Sequence, residues 1–151
     1  MKLTATLAAF LLAACSAPTE PLVVKQFTLR DQDTLKENDP MVRNEKLRRL
    51  YGAVSLEERK GRLGQYYTVI WSDTPTGTTR KTGREIRFQY QQGGSKVKTM
   101  TRSLEPGASS GKEEFAIIGD DYFQNGRVLT WKIDLLHGGA PIASKQSYLW
   151  E

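Results

Sequence analysis

One histidine, one cysteine and a scatter of carboxylates are the groups through which this 151-residue chain could do covalent or metal chemistry. His137 precedes Gly138 and Gly139, where an exposed hairpin turn is expected. A metal centre or a Ser-His-acid relay built on it would need partners at a recognisable spacing, and no motif supplies them. Glu113, Glu114, Asp120 and Asp121 offer the hard oxygens that calcium takes, but not at EF-hand spacing. Glu113-Glu114 is expected to open a strand and Gly119-Asp120-Asp121 to form a turn, which together read as a solvated edge. Glu85 with Glu113 or Glu114 could supply the two carboxylates of glycoside hydrolysis, but that chemistry depends on their separation in space. The glycine-rich piece from Gly107 to Gly111 lacks the lysine of a phosphate-binding loop. No cofactor, no metal and no catalytic set are expected, so the chain reads as a non-enzyme.

Cys15 closes the run Leu3-Thr-Ala-Thr-Leu-Ala-Ala-Phe-Leu-Leu-Ala-Ala14, which follows Lys2 and carries no charge. One positive charge, an apolar stretch shorter than the roughly 20 residues of a membrane-crossing helix, and small residues at its end have the shape of a secretory signal. Leu12-Ala13-Ala14-Cys15 resembles the lipobox of bacterial lipoproteins. That resemblance implies removal of residues 1–14 and a mature chain that begins at an acylated Cys15, with two or more acyl chains giving stable anchoring. Ser16, where an aspartate would favour inner-membrane retention, points by the same resemblance to the outer membrane of a two-membrane envelope. With its only thiol acylated, the chain can form no internal disulfide and must rest on one apolar core.

The strongest surface signal is basic. Arg43, Lys46, Arg48, Arg49, Arg59, Lys60 and Arg62 stand against Glu45, Glu57 and Glu58 within one segment. They could form a docking face for an envelope protein, anionic lipid or anionic glycan, or a solvated helix surface that aids solubility. Arg80-Lys81-Thr82-Gly83-Arg84 is a second basic stretch with the same two readings. The formal net charge of +5 falls by one when Lys2 is removed. Nucleic acid is disfavoured as a partner by the exported location. Trp71, Trp131 and Trp150 could stack on sugars, but their alternation favours burial, with Tyr66, Tyr122 and Tyr148 the expected exposed aromatics.

These side chains need a scaffold, and its elements are legible. Residues 15–21 form a lipidated cysteine and a Pro-rich tether, and Leu22 to Arg30 has strand-forming residues. Asp39-Pro40 starts a helix running to about Ala53, in which Leu47, Leu50, Tyr51 and Val54 make one apolar stripe directed at the core. Ser55 and Glu58 form a capping box for a second short helix to about Arg62. From Gln65 the period changes to two. Tyr67, Val69 and Trp71 share a face, as do Ile86, Phe88 and Tyr90. Gly93-Gly94 turns into a strand from Lys96 to Arg102, and Phe115 with Ile117 marks another. Leu129, Trp131, Ile133 and Leu135 alternate before a turn at 137–140 and a final strand from Ile142 to Trp150.

The predicted architecture over residues 22–151 is mainly β. It is a single antiparallel immunoglobulin or fibronectin III-like sandwich of about seven strands, with a short two-helix insertion at about 40–62. Leu63-Gly-Gln-Tyr-Tyr-Thr-Val-Ile-Trp71 and Ile142-Ala-Ser-Lys-Gln-Ser-Tyr-Leu-Trp150, joined by the Trp131 strand, resemble small bacterial lipoproteins with a fibronectin-like sandwich. The resemblance implies fold and location and brings no catalytic residues with it. The expected function is that of a membrane-anchored structural or protein-interaction lipoprotein. Binding of a glycan or other ligand is the alternative, and hydrolysis a remote one.

Overall fold

A computed structural model describes residues 20–34, 36–73, 83–94 and 96–150. Cys15, the leader 1–14, most of the tether and Arg80-Lys81-Thr82 lie outside the described residues. The chain is mainly β. Among the described residues, seven strands run β1 (Leu22–Leu29), β2 (Gly64–Ser72), β3 (Arg84–Gln92), β4 (Lys98–Ser103), β5 (Ser110–Ile118), β6 (Val128–His137) and β7 (Ala140–Gln146). Helices α1 (Pro40–Leu50) and α2 (Leu56–Gly61) fall between β1 and β2, and α3 (Gly119–Asn125) follows β5. All strand pairs are antiparallel, in a three-stranded sheet of order β1-β2-β5 and a four-stranded sheet of order β4-β3-β6-β7.

The period-two pattern decides what lies between the sheets. Leu22, Tyr67, Val69, Trp71, Phe115 and Ile117 from the first share one core with Ile86, Phe88, Tyr90, Trp131, Ile133 and Leu135 from the second. Ring contacts knit the two across the gap: Tyr67 lies 4.8 Å from Phe88 and 5.7 Å from Trp131, and Phe115 lies 5.2 Å from Phe88. Each such pair adds to what area burial alone supplies. The β6–β7 hairpin closes through Gly138 and Gly139 at φ +56° and +84°, the two positive angles that a two-residue primed turn demands.

The three-stranded sheet also has an apolar outer face. Phe27, Leu29, Tyr66, Ala116 and Ile118 gather there with Leu63 under Leu50 of α1. The helix therefore covers one end of that face.

Several expectations fail here for identifiable reasons. The buried stripe around α1 is Lys46, Arg49, Leu50 and Ala53, displaced by one residue from the predicted Leu47, Leu50, Tyr51 and Val54. One residue is about 100° of helix rotation, and the rotation leaves Leu47, Tyr51 and Val54 exposed. The helix stops at Leu50, short of Ala53. Gly119-Asp120-Asp121 opens α3 instead of turning. Strand β7 ends at Gln146, and Ser147 to Trp150 lies beyond it: the Ser147 N–H still donates to the Trp131 carbonyl at 2.8 Å, but the Trp131 N–H donates to the Ser147 hydroxyl at 2.9 Å. Tyr66 is buried, not exposed, and Tyr122 is half-buried, whereas Tyr148 is almost fully exposed. His137 is half-buried as the last residue of β6.

Candidate functional site

The outer face of the three-stranded sheet reads row by row across its register. Phe27, Tyr66 and Ala116 form one row, Lys25, Thr68 and Glu114 the next, and Val23, Ile70 and Lys112 the third. Over the first row lie Leu50 and Arg49. The Arg49 guanidinium sits 4.0 Å above the Tyr66 ring, a cation-π contact, and is bound by Glu114 on one side and by Glu45, at 2.9 Å, on the other. Arg48 meets the Glu45 carboxylate in a fork, with Nε and NH2 at 2.9 and 2.6 Å, and reaches Glu114 at 3.6 Å. The Arg48 hydrogen bond, aided by the charge of both arginines, holds the Glu45 carboxyl below its ordinary range against the opposing effect of burial.

Lys46 serves a different anchor. Its ammonium meets Asp31 at 3.0 Å, Glu37 at 3.3 Å and the Asp33 carbonyl at 3.3 Å, so it staples the segment after β1 to α1. The hydrogen bond that Lys46 donates to Asp31, with that to Glu37, raises the Lys46 pKa despite burial. Arg59 Nε donates to the Ala53 carbonyl at 3.1 Å, and Arg62 donates to the carbonyls of Arg49 and Tyr51, closing the end of α1. The Ser55–Glu58 capping box forms as expected. Backbone N–H groups of Ser55 and Val54 bind the Glu58 carboxylate and lower its pKa.

Of the seven cations singled out from the sequence, Lys46 and Arg49 thus point inward and are not part of an open face. Arg48, Arg59 and Arg62 are held by partners within the segment. Arg43 is exposed with no ion pair among the described residues, and Lys60 is exposed with its ammonium 5.5 Å from the Phe123 ring. Glu114, considered from the sequence only as a calcium or glycosidase carboxylate, has a structural role that sequence reasoning missed. Its neighbour Glu113 and the acidic turn suggested a solvated edge, but Glu114 faces α1 and neutralises two of its arginines.

Beside this packed end the N-terminal half of α1 stands off the sheet and leaves a cleft of about 340 Å³. Phe27 and Ile70 lie on its sheet side, Met41, Glu45 and Arg48 on its helix side, and Lys25 and Lys112 at its margins.

The other candidates separate in space. Glu85 lies on the outer face of the four-stranded sheet, whereas Glu113 and Glu114 belong to the three-stranded one, so these carboxylates do not face one another. Asp121 is engaged by Lys98 at 2.6 Å, and Asp120 is exposed on α3. Among the described residues no group of three or more histidine, cysteine or acidic side chains could hold a metal ion. Trp71 and Trp131 are in the core, and Trp150 is half-buried and lines a hollow with Gln91, Val97 and Thr130. Arg84 of the second basic stretch is buried, with Asp73 at 3.3 Å.

One further carboxylate is buried on the outer face of β6. Asp134 accepts from Ser144 at 2.6 Å and from Arg87 at 2.9 Å, with Lys132 at 3.6 Å. Burial pushes its carboxyl up, but the hydrogen bonds from Ser144 and Arg87 and the two nearby cations outweigh it and hold the pKa below the ordinary 3.8. A lowered folded value means the contribution is complete above 3.8 and is lost as pH falls through the lower folded value. Asp134→Asn should therefore lower the melting temperature at neutral pH, and its deficit should shrink on titration from about pH 5 to about pH 2. A deficit constant over that range in a thermal-denaturation series would contradict this assignment.

No family model matches the chain, and no curated protein and no solved structure matches it either.

Proposed function

We propose that this protein is an envelope lipoprotein, tethered through an acylated Cys15, whose β domain is a protein-interaction module with no catalytic role. In this reading the two sheets are an immunoglobulin or fibronectin III-like sandwich and α1–α2 an insertion after its first strand. Lettering the strands A, B, C, C′, E, F and G turns the observed orders into A-B-E and C′-C-F-G, which supports that choice. Ser16 after Cys15 favours the periplasmic face of an outer membrane as the location. No helix among the described residues is long and apolar enough to cross a membrane. In this reading the acyl chains on Cys15 make the attachment.

The observation that carries the interaction role is the outward face of the helical segment. Leu47, Tyr51, Val54 and Leu56 are 50%, 85%, 86% and 76% exposed within one short stretch, with Arg43 and Lys60 nearby in sequence. Single exposed apolar residues are ordinary, but a run of four large ones is the mark of a surface that a partner covers. The test is photocrosslinking of the full chain in intact cells, with the photoreactive group at Tyr51 or, as control, at exposed Thr101. One reproducible protein adduct is expected from Tyr51 alone, lost on Leu47→Glu and lost with the membrane attachment on Cys15→Ser. Equal labelling from both positions, or none above background, would remove the reading.

A glycan-binding role has one observation in its favour: Tyr148 is 98% exposed near half-buried Trp150. The hollow that Trp150 lines measures about 200 Å³, below the roughly 300–1,000 Å³ of ordinary ligand sites. It ranks second for that reason.

A further inference from the structure

We infer that the cleft between α1 and the outer face of the three-stranded sheet binds a fatty-acid carboxylate, with the acyl chain on Phe27, Met41 and Ile70 and the head group between Lys25 and Lys112. The cleft has an apolar lining that the fold itself does not cover. Met41 is 80% and Ile70 38% exposed although both belong to packed elements. Its charge is one-sided. The only carboxylate among its lining residues, Glu45, is committed to Arg48 and Arg49. Lys25 pairs in register with Thr68 and Lys112 with Ile70, so the two ammonium groups flank β2 on the same face. Neither makes an ion pair among the described residues. An apolar trough with two uncompensated cations at its margins complements a molecule with one anionic end and one hydrocarbon end.

The geometry also limits how an occupant can bind. β2 is hydrogen-bonded on both sides, to β1 and to β5, so no strand of a peptide can pair with it. The one guanidinium in the lining, Arg48, already has its fork occupied by Glu45. Bidentate recognition of an anion by a guanidinium is therefore closed, which leaves the two lysines, acting as point charges, to hold the anionic end. On α1 the cleft residues Met41, Glu45 and Arg48 fall on a different face from Leu47 and Tyr51, so this site is independent of the proposed partner surface.

The full chain, held in micelles of a neutral sugar detergent, can be irradiated with dodecanoate carrying a diazirine on its chain. Adducts mapped by mass spectrometry should concentrate on the peptides bearing Met41 and Ile70. Unlabelled dodecanoate should compete and dodecanol at the same concentration should not. The double variant Lys25→Glu with Lys112→Glu should lower labelling about tenfold. Both lysines are exposed, so the melting temperature should stay within about 2 °C of the parent. Should that variant fold poorly, Lys25→Gln and Lys112→Gln singly read the same loss at smaller scale. Labelling spread over the surface, labelling centred on Tyr51, equal competition by dodecanol, or indifference to the lysine substitutions would each overturn the assignment.

Discussion

Replacing Gly64 with alanine should remove about 4 kcal/mol or more of folding stability, enough to leave the chain mostly unfolded in ordinary buffer. Gly64 opens β2, paired with Leu29 on one side and Ile118 on the other, at φ +146°. A Cβ there would stand 2.2 Å from the Ile117 carbonyl oxygen and 2.8 Å from the Ile118 Cα. Both obstacles are backbone, so no rotamer change clears them. Only separation of β2 from β5 does, and that would disturb the Gly119 N–H bond to the Leu63 carbonyl at 3.0 Å. The backbone angle adds strain that a side chain tolerates poorly. Gly93→Ala is the control: nothing lies within 4 Å of its added carbon, and its effect should stay within about 0.5 kcal/mol. Denaturant unfolding of the two variants beside the parent decides it. A Gly64→Ala protein within about 1 kcal/mol of the parent would mean that β2 and β5 do not approach so closely.

What the sequence disclosed and what it hid follow from how far each signal reaches. Alternation in Tyr67-Val69-Trp71, in Ile86-Phe88-Tyr90 and in Leu129-Trp131-Ile133-Leu135 is a local consequence of the pleat, and nine of these ten residues are in the shared core; Leu129 is exposed, because a register shift at Gln91/Gln92 puts Val128 on the inner face instead. The Ser55–Glu58 box and the Gly138-Gly139 turn are equally local, and both stand where expected. The rotation of α1 was not legible, because hydropathy ranks Leu47, Tyr51 and Val54 above Lys46 and Arg49. Burial of a cation depends on partners elsewhere in the chain, and those partners, Asp31, Glu37 and Glu114, carry no mark that assigns them. The cleft was hidden for the same reason: it arises where α1 leaves the sheet, and Lys25 and Lys112 belong to strands far apart in sequence. The basic segment was legible as a cluster, yet most of its charge is used to build the segment. Apart from Arg43, what it turns outward is mainly apolar: Leu47, Tyr51, Val54 and Leu56.

If charge is what seats α1, then Glu114→Gln should cost about 2 kcal/mol, and Arg49→Met should cost less in the Glu114→Gln background than in the parent. The Arg49 side chain is 4% exposed and cannot regain water, while that of Glu114 is 34% exposed and can. Removing the Glu114 charge leaves the guanidinium with Glu45 as its remaining carboxylate, which keeps the penalty below the roughly 3–5 kcal/mol of a fully orphaned buried ion. Methionine keeps the apolar cover over the Tyr66 ring and discards the charge, so in the double variant nothing buried is left unpaired. A coupling of about 1–2 kcal/mol is expected from the four unfolding curves. It should change little with added salt, because a partly buried pair is weakly screened. Additive effects would instead mean that Leu50 and its apolar neighbours hold the helix unaided. The distinction bears on function, since the seat of α1 sets both the width of the cleft beneath it and the outward presentation of Leu47 and Tyr51. A Glu114→Gln protein that stays folded should accordingly lose Tyr51 crosslinking in proportion to the loosened helix.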